Sequence, residues 1–400
     1  MRIKSEIVLR VTCCCAFVLG LAACAATSRN IVPLQFEDEV VVAGVRGSSI
    51  RFWGDEMPPN SDELVRKRWA QVRTAQTQRV TGGARPTVVM LAISGGGSDG
   101  AFGAGLLNGW TARGDRPKFD LVTGISTGAL TAPFAFLGPK YDPALKHVFT
   151  TSHTNDIATL HPVRGLLGGS SLASNAPLAK IIASYVNEDF LREVAAEHAK
   201  GRRLFIGTTN LDAQRPVIWN MGEIASSGSP EALNLFRKIL LSSAAIPGLF
   251  PPGMIKVAAN GNIYDEMHVD GGTTRQAFLL PPQFNAKRVD SHIGIKPVRR
   301  AYIIRNGHVT PERAAVKART LSIGARSVST LIKEQGVGDL YELYEFTRRN
   351  GISYNLAVIP ESFNVTSPEG FDPTYMTALY NKGFELGRAR AWKKKPPYLE

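Results

Sequence analysis

One serine of this chain stands in a sequence pattern that serves nucleophilic chemistry. Gly124-Ile125-Ser126-Thr127-Gly128 fits the pattern G-x-S-x-G. In that pattern the serine occupies a sharp turn between a strand and a helix, where larger residues at either glycine would clash. The partial positive charge at the start of the helix favours a serine alkoxide and a developing oxyanion. A Gly/Ser loop can produce the pattern by chance, but its position after an apolar segment predicts Ser126 as a nucleophile in a turn formed by Gly124 and Gly128.

A second glycine-rich stretch, Ser94-Gly95-Gly96-Gly97-Ser98-Asp99-Gly100, also follows an apolar segment. Consecutive glycines let backbone N–H groups converge on one point without side-chain obstruction, and an oxyanion hole requires such convergence. We therefore predict an oxyanion loop that contains Gly95, Gly96, Gly97 and Gly100.

The same stretch has another interpretation, as a dinucleotide-binding turn. Gly95, Gly97 and Gly100 satisfy G-x-G-x-x-G, and Asp120 lies near the position of the acidic residue in that fingerprint. Asp120, however, belongs to the short segment that leads into G-x-S-x-G, and a single glycine fingerprint is a weak signal. The oxyanion interpretation is favoured, and we expect no cofactor.

Asp270 is the candidate base. Asp270-Gly271-Gly272 follows His268-Val269, where a strand is expected to end. An aspartate followed by two glycines can project its carboxylate from a tight loop toward a neighbouring site. Taken alone, the same three residues are an ordinary turn signal.

A histidine base is the alternative to Asp270. Of the seven histidines, His292 and His308 follow the acid, as in the chain order of α/β-hydrolases. Neither stands in a recognisable motif, so each is interpreted as a packed or solvated loop residue. The chain has neither H-E-x-x-H nor the Cys/His spacing of zinc sites, and we expect no metal.

The candidate residues lie between segments that alternate in character. The run 87–93 is almost continuously apolar, which is typical of a strand buried on both faces of a parallel sheet. Strands alternating with helices predict an α/β fold with a mostly parallel central sheet between helical layers. Further strands are expected at 119–123, 203–208, 301–304 and 354–359, and helices at 62–79, 101–110, 130–137, 311–333, 339–349 and 373–392.

In their order, the three motifs resemble those of the patatin-like phospholipase family. The segment 243–252, which reads SAAIPGLFPP, is similar to a further block that precedes D-G-G in that family. The resemblance covers about residues 87 to 273, roughly half of the chain. It implies a three-layer α/β/α fold and a Ser–Asp dyad without histidine.

By this resemblance, each candidate residue acquires a role. Ser126 attacks an ester carbonyl, and Asp270 takes the serine proton and later returns one to the leaving alcohol. Gly96 and Gly97 lend N–H groups to the oxyanion, and water then releases the acyl group. An ordinary aspartate with a pKa of about 4 is a poor base for a hydroxyl, so burial and the oxyanion hole must compensate.

One residue departs from the family pattern. Many members have Lys or Arg at the second variable position of G-G-G-x-x-G, where this chain has Asp99. A carboxylate there suits a helix N-terminus but repels an anionic head group. The departure weakens the expectation of a phospholipase more than that of an ester hydrolase.

The N-terminus has the features of a secretion signal. Arg2, Lys4 and Arg10 precede a short apolar stretch that ends in Leu-Ala-Ala-Cys24. This ending resembles the lipobox of bacterial lipoproteins, which implies that Cys24 is acylated and anchors the mature chain in the cell envelope. Ala25, and not Asp, follows the cysteine, and by resemblance to enterobacterial sorting rules this favours the outer membrane over the inner one.

Four segments are predicted on these grounds. They are a signal peptide at 1–23, a lipidated tether with a peripheral segment at 24–86, a catalytic domain at 87–310, and a helical and strand extension packed on that domain at 311–400.

The amino-acid composition limits the kinds of partner that the protein is expected to bind. The chain of 400 residues is 44% hydrophobic and 20% charged, which is ordinary for a globular protein and excludes a wholly disordered, coiled-coil or collagen-like chain. Its net charge of +13 favours anionic surfaces. Because no nucleic-acid-binding motif is present, lipid is the expected partner and nucleic acid is not. All four cysteines lie within the first 24 residues, so no disulfide framework is expected.

The predicted activity is therefore hydrolysis of a lipid or other ester substrate. Two rivals remain open at this stage. One is an acyltransferase that uses the same acyl-enzyme, and the other is a non-catalytic envelope lipoprotein that retains the fold. The sequence does not predict an oligomeric state.

Overall fold

The structure, a computed structural model, describes residues 29–47, 49–77, 86–161, 169–367 and 370–399. The predicted signal peptide and Cys24 lie outside these residues. None of the helices in the described ranges combines the length and the apolar character that a membrane span requires.

A ten-stranded sheet and a small two-stranded sheet contain the strands of the described residues. In chain order these strands are β1 (Val41–Val42), β2 (Arg51–Trp53), β3 (Thr87–Ile93), β4 (Leu121–Ile125), β5 (Thr159–Leu160), β6 (Ala173–Ser174), β7 (Arg203–Asn210), β8 (Arg215–Asn220), β9 (Gly253–Ala259), β10 (Asn262–Asp270), β11 (Val298–Arg305) and β12 (Ser353–Val358).

Five parallel strands form the centre of the large sheet, in the order β12-β11-β3-β4-β7. The expected parallel sheet is confirmed in these strands. At the edge of this parallel part, β7 pairs with β8 in antiparallel orientation, and β8 pairs with β2. The last residues of β7 extend beyond β4 and pair with β10, which continues to β9 and β1. Apart from the strand end expected at His268-Val269, the antiparallel part was not predicted, because β9 and β10 alternate in burial and carry no long apolar run.

Helices cover both faces of the sheet, so the predicted three-layer α/β/α arrangement is confirmed. Leu91 and Ile93 of β3 face one apolar core, and Met90 and Ala92 face the other. The helices are α1 (Ser61–Thr77), α2 (Gly100–Arg113), α3 (Thr127–Leu137), α4 (Asp142–Thr151), α5 (Thr154–Ile157), α6 (Ala176–Tyr185), α7 (Glu188–Ala199), α8 (Met221–Ser226), α9 (Ala232–Ser243), α10 (Ala286–Ile293), α11 (Thr320–Arg349) and α12 (Pro373–Ala389).

Helices α2 and α12 approach each other closely through glycines. A Cβ added at Gly105 or Gly109 would lie 2.0 or 2.1 Å from a backbone oxygen of α12. A Cβ at Gly383 or Gly387 would lie 2.2 or 2.3 Å from a backbone oxygen of α2. No side chain fits at such distances, so the glycines set the spacing of the two helices. The C-terminal helix is thereby fixed against the helix that follows the glycine-rich loop.

Several predicted boundaries were wrong. Helices were expected at 311–333 and 339–349, but residues 311–319 are not helical and α11 continues without a break from Thr320 to Arg349. Buried packing of Val337 and Leu340 outweighs the low helix propensity of the glycines nearby. The strand expected at 119–123 is β4, which runs two residues further and therefore leads directly into Ser126.

Candidate active site

Ser126 occupies the turn between β4 and α3. Its backbone has φ 53° and ψ −124°, a strained conformation for a residue with a side chain. A Cβ at Gly124 would lie 2.3 Å from the backbone oxygen of Gly128, and one at Gly128 would lie 2.2 Å from that of Ile93. Both glycines are therefore sterically required, because the turn packs α3 directly onto the ends of β3 and β4.

Ser243, the last residue of α9, supports this turn from behind. Its hydroxyl accepts a hydrogen bond of 3.0 Å from the Ser126 N–H and donates one of 2.6 Å to the Gly207 oxygen. This contact holds the backbone of Ser126 in place. Ser243 opens the block that resembles the patatin-like family, but no role for its side chain was predicted from the sequence.

Asp270 ends β10 and faces Ser126. The two residues meet because β7 pairs with both of their strands: Asp270 lies opposite Thr208, and Ile125 lies opposite Gly207. The Asp270 carboxylate accepts a 2.7 Å hydrogen bond from the Gly272 N–H. Burial raises the pKa of the Asp270 carboxyl to about 6, although its hydrogen bonds with the Ser126 hydroxyl and Gly272 act in the opposite direction. The group is thus ionised at neutral pH and more basic than an exposed aspartate.

The glycine-rich loop supplies fewer free donors than predicted. The Gly95 N–H donates to the Gln276 oxygen at 3.2 Å, and the Gly100 N–H donates to the Gly97 oxygen as α2 begins. Gly95 and Gly100, which were predicted to belong to the oxyanion loop, therefore have N–H groups that are already bonded within the fold. Of the four predicted glycines, Gly96 and Gly97 remain as candidate donors, and both line the cavities around Ser126.

Two cavities meet at Ser126 and share the oxyanion loop. One has a volume of about 330 Å³ and an apolar wall. The other, of about 870 Å³, contains Asp270 and has charged residues in its wall. A nucleophile at such a junction can bind an ester whose acyl chain extends into one cavity and whose alcohol part extends into the other. The apolar wall includes Leu130, Phe134, Val148, Phe149, Ile182 and Leu249, and the charged wall includes Asp99, Arg305, His308, Glu312, Arg326 and Lys333.

The sequence model of a known family matches this part of the chain. Residues 91–281 match the family described as patatin-like phospholipase. The chain carries a patatin-like phospholipase domain. The resemblance drawn from the three motifs is confirmed, and the domain assigns the chain to the lipolytic hydrolases.

Solved structures similar to this chain include a Legionella pneumophila protein and a human phospholipase. VipD from Legionella pneumophila is 12% identical with a TM-score of 0.39, over 80% of this chain and 73% of that one. The human GIVD cytosolic phospholipase A2 is 9% identical with a TM-score of 0.30, over 78% of this chain and 55% of that one. The chain thus spans about half of the human enzyme. A comparison with curated proteins gave no match.

Asn306 fixes the glycine-rich loop of the patatin-like domain. Its N–H donates to the Ser94 hydroxyl at 2.9 Å, its side-chain amide donates to the Ser94 oxygen at 2.9 Å, and its Oδ1 accepts from the Gly103 N–H at 3.0 Å. A Cβ at Gly96 would lie 2.0 Å from the Asn306 oxygen, so the loop packs directly on the end of β11. Asn306 was missed from the sequence, although a polar residue just after an apolar strand is a signal that could have found it.

Arg305 places a buried guanidinium beside the same loop. Only 4% of the residue is exposed, and its Nη1 donates to the Ser94 hydroxyl and the Gly95 oxygen, both at 3.3 Å. Its Nε has no hydrogen-bond partner among the described residues. Burial lowers the pKa of Arg305, while the more distant Asp99 and other carboxylates raise it. A Cβ at Gly336 would lie 2.6 Å from Nη2, so this glycine of α11 makes room for the guanidinium.

Asp99 lies in the wall of the charged cavity. Its carboxylate accepts a hydrogen bond of 2.7 Å from the hydroxyl of Tyr375 on α12. Burial raises the pKa of Asp99 to about 6. Where the family pattern has a cation in the loop, this patatin-like domain has Asp99 in the loop and a cation, Arg305, at the end of β11.

The alternatives from the sequence can be compared with this geometry. His308 lies in the wall of the charged cavity. His292 instead lies on the α1 side of the sheet, where its Nδ1 is 3.5 Å from Oδ1 of Asp62. The Asp270 carboxyl itself is hydrogen-bonded to the Ser126 hydroxyl and the Gly272 N–H. The dinucleotide interpretation is wrong, because Asp120 precedes β4 at the amino edge of the parallel strands and binds the Val89 N–H, opposite the glycine-rich loop. Within the described ranges, no cluster of His, Cys, Asp and Glu has an arrangement that could hold a metal.

Proposed function

We propose that the chain is a lipid-anchored serine hydrolase that cleaves carboxylic esters of lipids through a Ser126–Asp270 dyad and an acyl-enzyme. One observation carries the proposal: the Ser126 hydroxyl and the buried Asp270 carboxylate lie together where an apolar and a charged cavity meet.

The acylation step uses the buried carboxylate as base. As Ser126 Oγ attacks the ester carbonyl carbon, its proton passes to the Asp270 carboxylate. The carbonyl oxygen becomes an oxyanion, which the Gly96 and Gly97 N–H groups stabilise. When the carbon–oxygen bond of the ester breaks, the leaving alkoxide takes the proton from Asp270. The products are a free alcohol and an acyl group bound to Ser126.

Deacylation repeats these steps with water. Asp270, again ionised, takes a proton from a water molecule that attacks the acyl-enzyme. The second oxyanion collapses, Ser126 Oγ recovers the proton, and the fatty acid leaves.

The two cavities support an orientation of the substrate. The apolar cavity, with Leu130, Phe134 and Phe149 in its wall, suits the acyl chain, and each methylene buried there contributes about 0.8 kcal/mol to binding. The charged cavity suits the alcohol part and presents Arg305 to any anionic group on it. Arg305 thus opposes the repulsion of phosphate expected from Asp99.

Replacement of the dyad tests the activity. Ser126→Ala and Asp270→Asn should each lower kcat on a soluble p-nitrophenyl ester by about 10³-fold or more, and the double variant should be no worse than the weaker single variant. His292→Gln and His308→Gln serve as matched controls and should retain most of the activity. A loss with His308→Gln as large as with Ser126→Ala would replace the dyad by a triad.

Two further measurements separate the rival functions. A fluorophosphonate probe should label the wild-type protein and not Ser126→Ala, whereas a non-catalytic scaffold would not be labelled. Addition of an alcohol acceptor should leave free fatty acid as the main product. A transferred acyl ester as the main product would indicate an acyltransferase.

The anchor at Cys24 rests on the sequence alone. The ending Leu-Ala-Ala-Cys24 after a short apolar stretch supports acylation of the mature N-terminus and attachment to the envelope, with the outer membrane favoured. Cys24→Ser should release the protein from the membrane fraction. An unmodified mature N-terminus at another residue, found by mass spectrometry, would refute the anchor.

A further inference from the structure

The first half of α11 is exposed although it carries large apolar side chains. From Thr320 to about residue 335, most residues are exposed or half-buried, whereas the second half of the helix packs on the sheet through Leu340 and Phe346. The exposed fractions of Ile323, Val328 and Leu331 are 52%, 54% and 69%. Several large apolar side chains exposed within one short segment indicate an interaction site.

The same segment is basic. Residues 311–335, here called the docking segment, contain five Lys or Arg and two Glu. Arg313, Lys317 and Arg319 are exposed in the stretch that leads into α11, beside Val316, which is 44% exposed. Glu312, one of the two acids, pairs with Lys333, so it offsets a cation within the segment. Exposed cations next to exposed apolar side chains are typical of helices that lie on anionic lipid surfaces.

The docking segment also borders the candidate active site. Val328, Leu331 and Ile332 line the charged cavity that contains Ser126 and Asp270. A surface bound to this segment would therefore face the opening through which an ester reaches the nucleophile.

We propose that the docking segment binds the surface of an anionic lipid bilayer and presents the Ser126 cavity to it. Charge complementarity and continuity with the catalytic cavity select this occupant over a second copy of the chain. This role rests on the proposed function, because it makes a lipid bilayer the place where the enzyme finds its ester substrate. Binding to the bilayer does not itself require catalysis.

The basic C-terminus is a less suitable lipid surface. Lys394 donates to the Asn355 side chain, and Lys393 pairs with Leu356 of β12, so this cluster is attached to the edge of the sheet. Arg388 and Lys395 are exposed there and provide a control region with the same kind of charge.

Sedimentation with vesicles tests the proposal. The full-length chain is produced as Cys24→Ser, so that acylation cannot mask binding, and is mixed with vesicles of phosphatidylcholine alone or with phosphatidylglycerol. Lys317→Glu with Arg319→Glu should weaken binding to the anionic vesicles by about ten-fold or more, since each basic residue near such a surface contributes to attraction. Val316→Ser with Ile323→Ser should weaken binding to a similar degree. The matched charge control, Arg388→Glu with Lys395→Glu, should bind like the parent.

Hydrolysis of a monomeric p-nitrophenyl ester is measured on the same proteins. Both docking variants should keep the parent's rate, because none of the four residues lines the cavities. Ser126→Ala should lose hydrolysis and keep vesicle binding, which separates failure of the proposed function from failure of this inference. Vesicle binding that is unchanged in both docking variants, or equally reduced in the C-terminal control, would overturn the proposal. So would a dimer in sedimentation velocity that Ile323→Ser dissociates while vesicle binding persists.

Discussion

Replacing Asp270 by asparagine should stabilise the fold at neutral pH while it removes the activity. Burial raises the pKa of the Asp270 carboxyl from 3.8 to about 6. That rise corresponds to a cost of about 3 kcal/mol for keeping the ionised carboxylate in the folded protein above this pH. An asparagine Oδ1 can still accept the hydrogen bond from Gly272, but the interaction with Ser126 weakens. We therefore expect the free energy of unfolding to increase by about 1–2 kcal/mol.

The expected gain depends on pH in a fixed direction. In the folded protein the carboxyl holds its proton up to about pH 6, whereas in the unfolded chain it releases the proton near 3.8. Between these values the folded state binds more protons than the unfolded state, so this group lowers the stability of the wild-type protein as pH rises from about 4 to about 6. The variant lacks this loss. The stability of the variant relative to the wild-type protein should be lowest near pH 4 and should increase by about 3 kcal/mol by the time the pH is above 6.

Urea unfolding of both proteins at several pH values between about 4 and 8 measures this difference, provided that the slopes with urea agree. The other carboxyls whose pKa values burial raises, Asp99, Asp120 and Asp339, are present in both proteins and cancel in the comparison. Ser126→Ala is the control, because it should lose activity and keep the pH-dependent loss of stability. A variant that is less stable than the wild-type protein at pH 8, or a difference that does not change with pH, would refute the reasoning.

Three further outcomes are expected. For a soluble neutral ester, kcat/KM should rise with pH up to about 6 and then level off, because the ionised form of Asp270 is the base. Asp99→Asn should keep this pH profile. If the inflection disappeared in Asp99→Asn, the titrating group would be Asp99 and not Asp270. Gly128→Ala should lower the free energy of unfolding by about 2 kcal/mol or more, measured by urea unfolding, since the new Cβ would lie 2.2 Å from a backbone oxygen, whereas Gly324→Ala in open space should not be destabilising. Arg305→Met should lower the ratio of kcat/KM for phosphatidylglycerol to that for a diacylglycerol of the same chains; an equal loss on both substrates would limit Arg305 to supporting the loop.

The sequence was most informative where structure depends on neighbouring residues. The apolar run 87–93 has no polar position that could face water, so it predicts a strand buried on both faces, and β3 has these bounds. Glycines that are needed for a sharp turn identify themselves by spacing, as Gly124 and Gly128 do around Ser126. The signal at Cys24 is likewise local, and it stays a prediction because it lies outside the described residues.

Pairings between distant segments were decided by the tertiary structure. The Gly95 N–H is bonded to Gln276, which lies far along the chain, so no local pattern could exclude Gly95 as an oxyanion donor. Arg305 and Asn306 reach the glycine-rich loop only because β11 pairs in parallel with β3, and this places the carboxyl ends of both strands at one edge of the sheet.

The exposure of the first half of α11 was also decided by the tertiary structure. Its sequence predicts helix over much of 311–349, but which half packs against Arg305 and the sheet, and which half is left in solvent beside the cavity, depends on how far the sheet extends. Residue spacing encodes backbone conformation, because that is set by steric effects between neighbours. The packing of the assembled layers decides which surfaces come into contact. That packing brings Ser126, Asp270 and Arg305 together around one cavity, which is the candidate site.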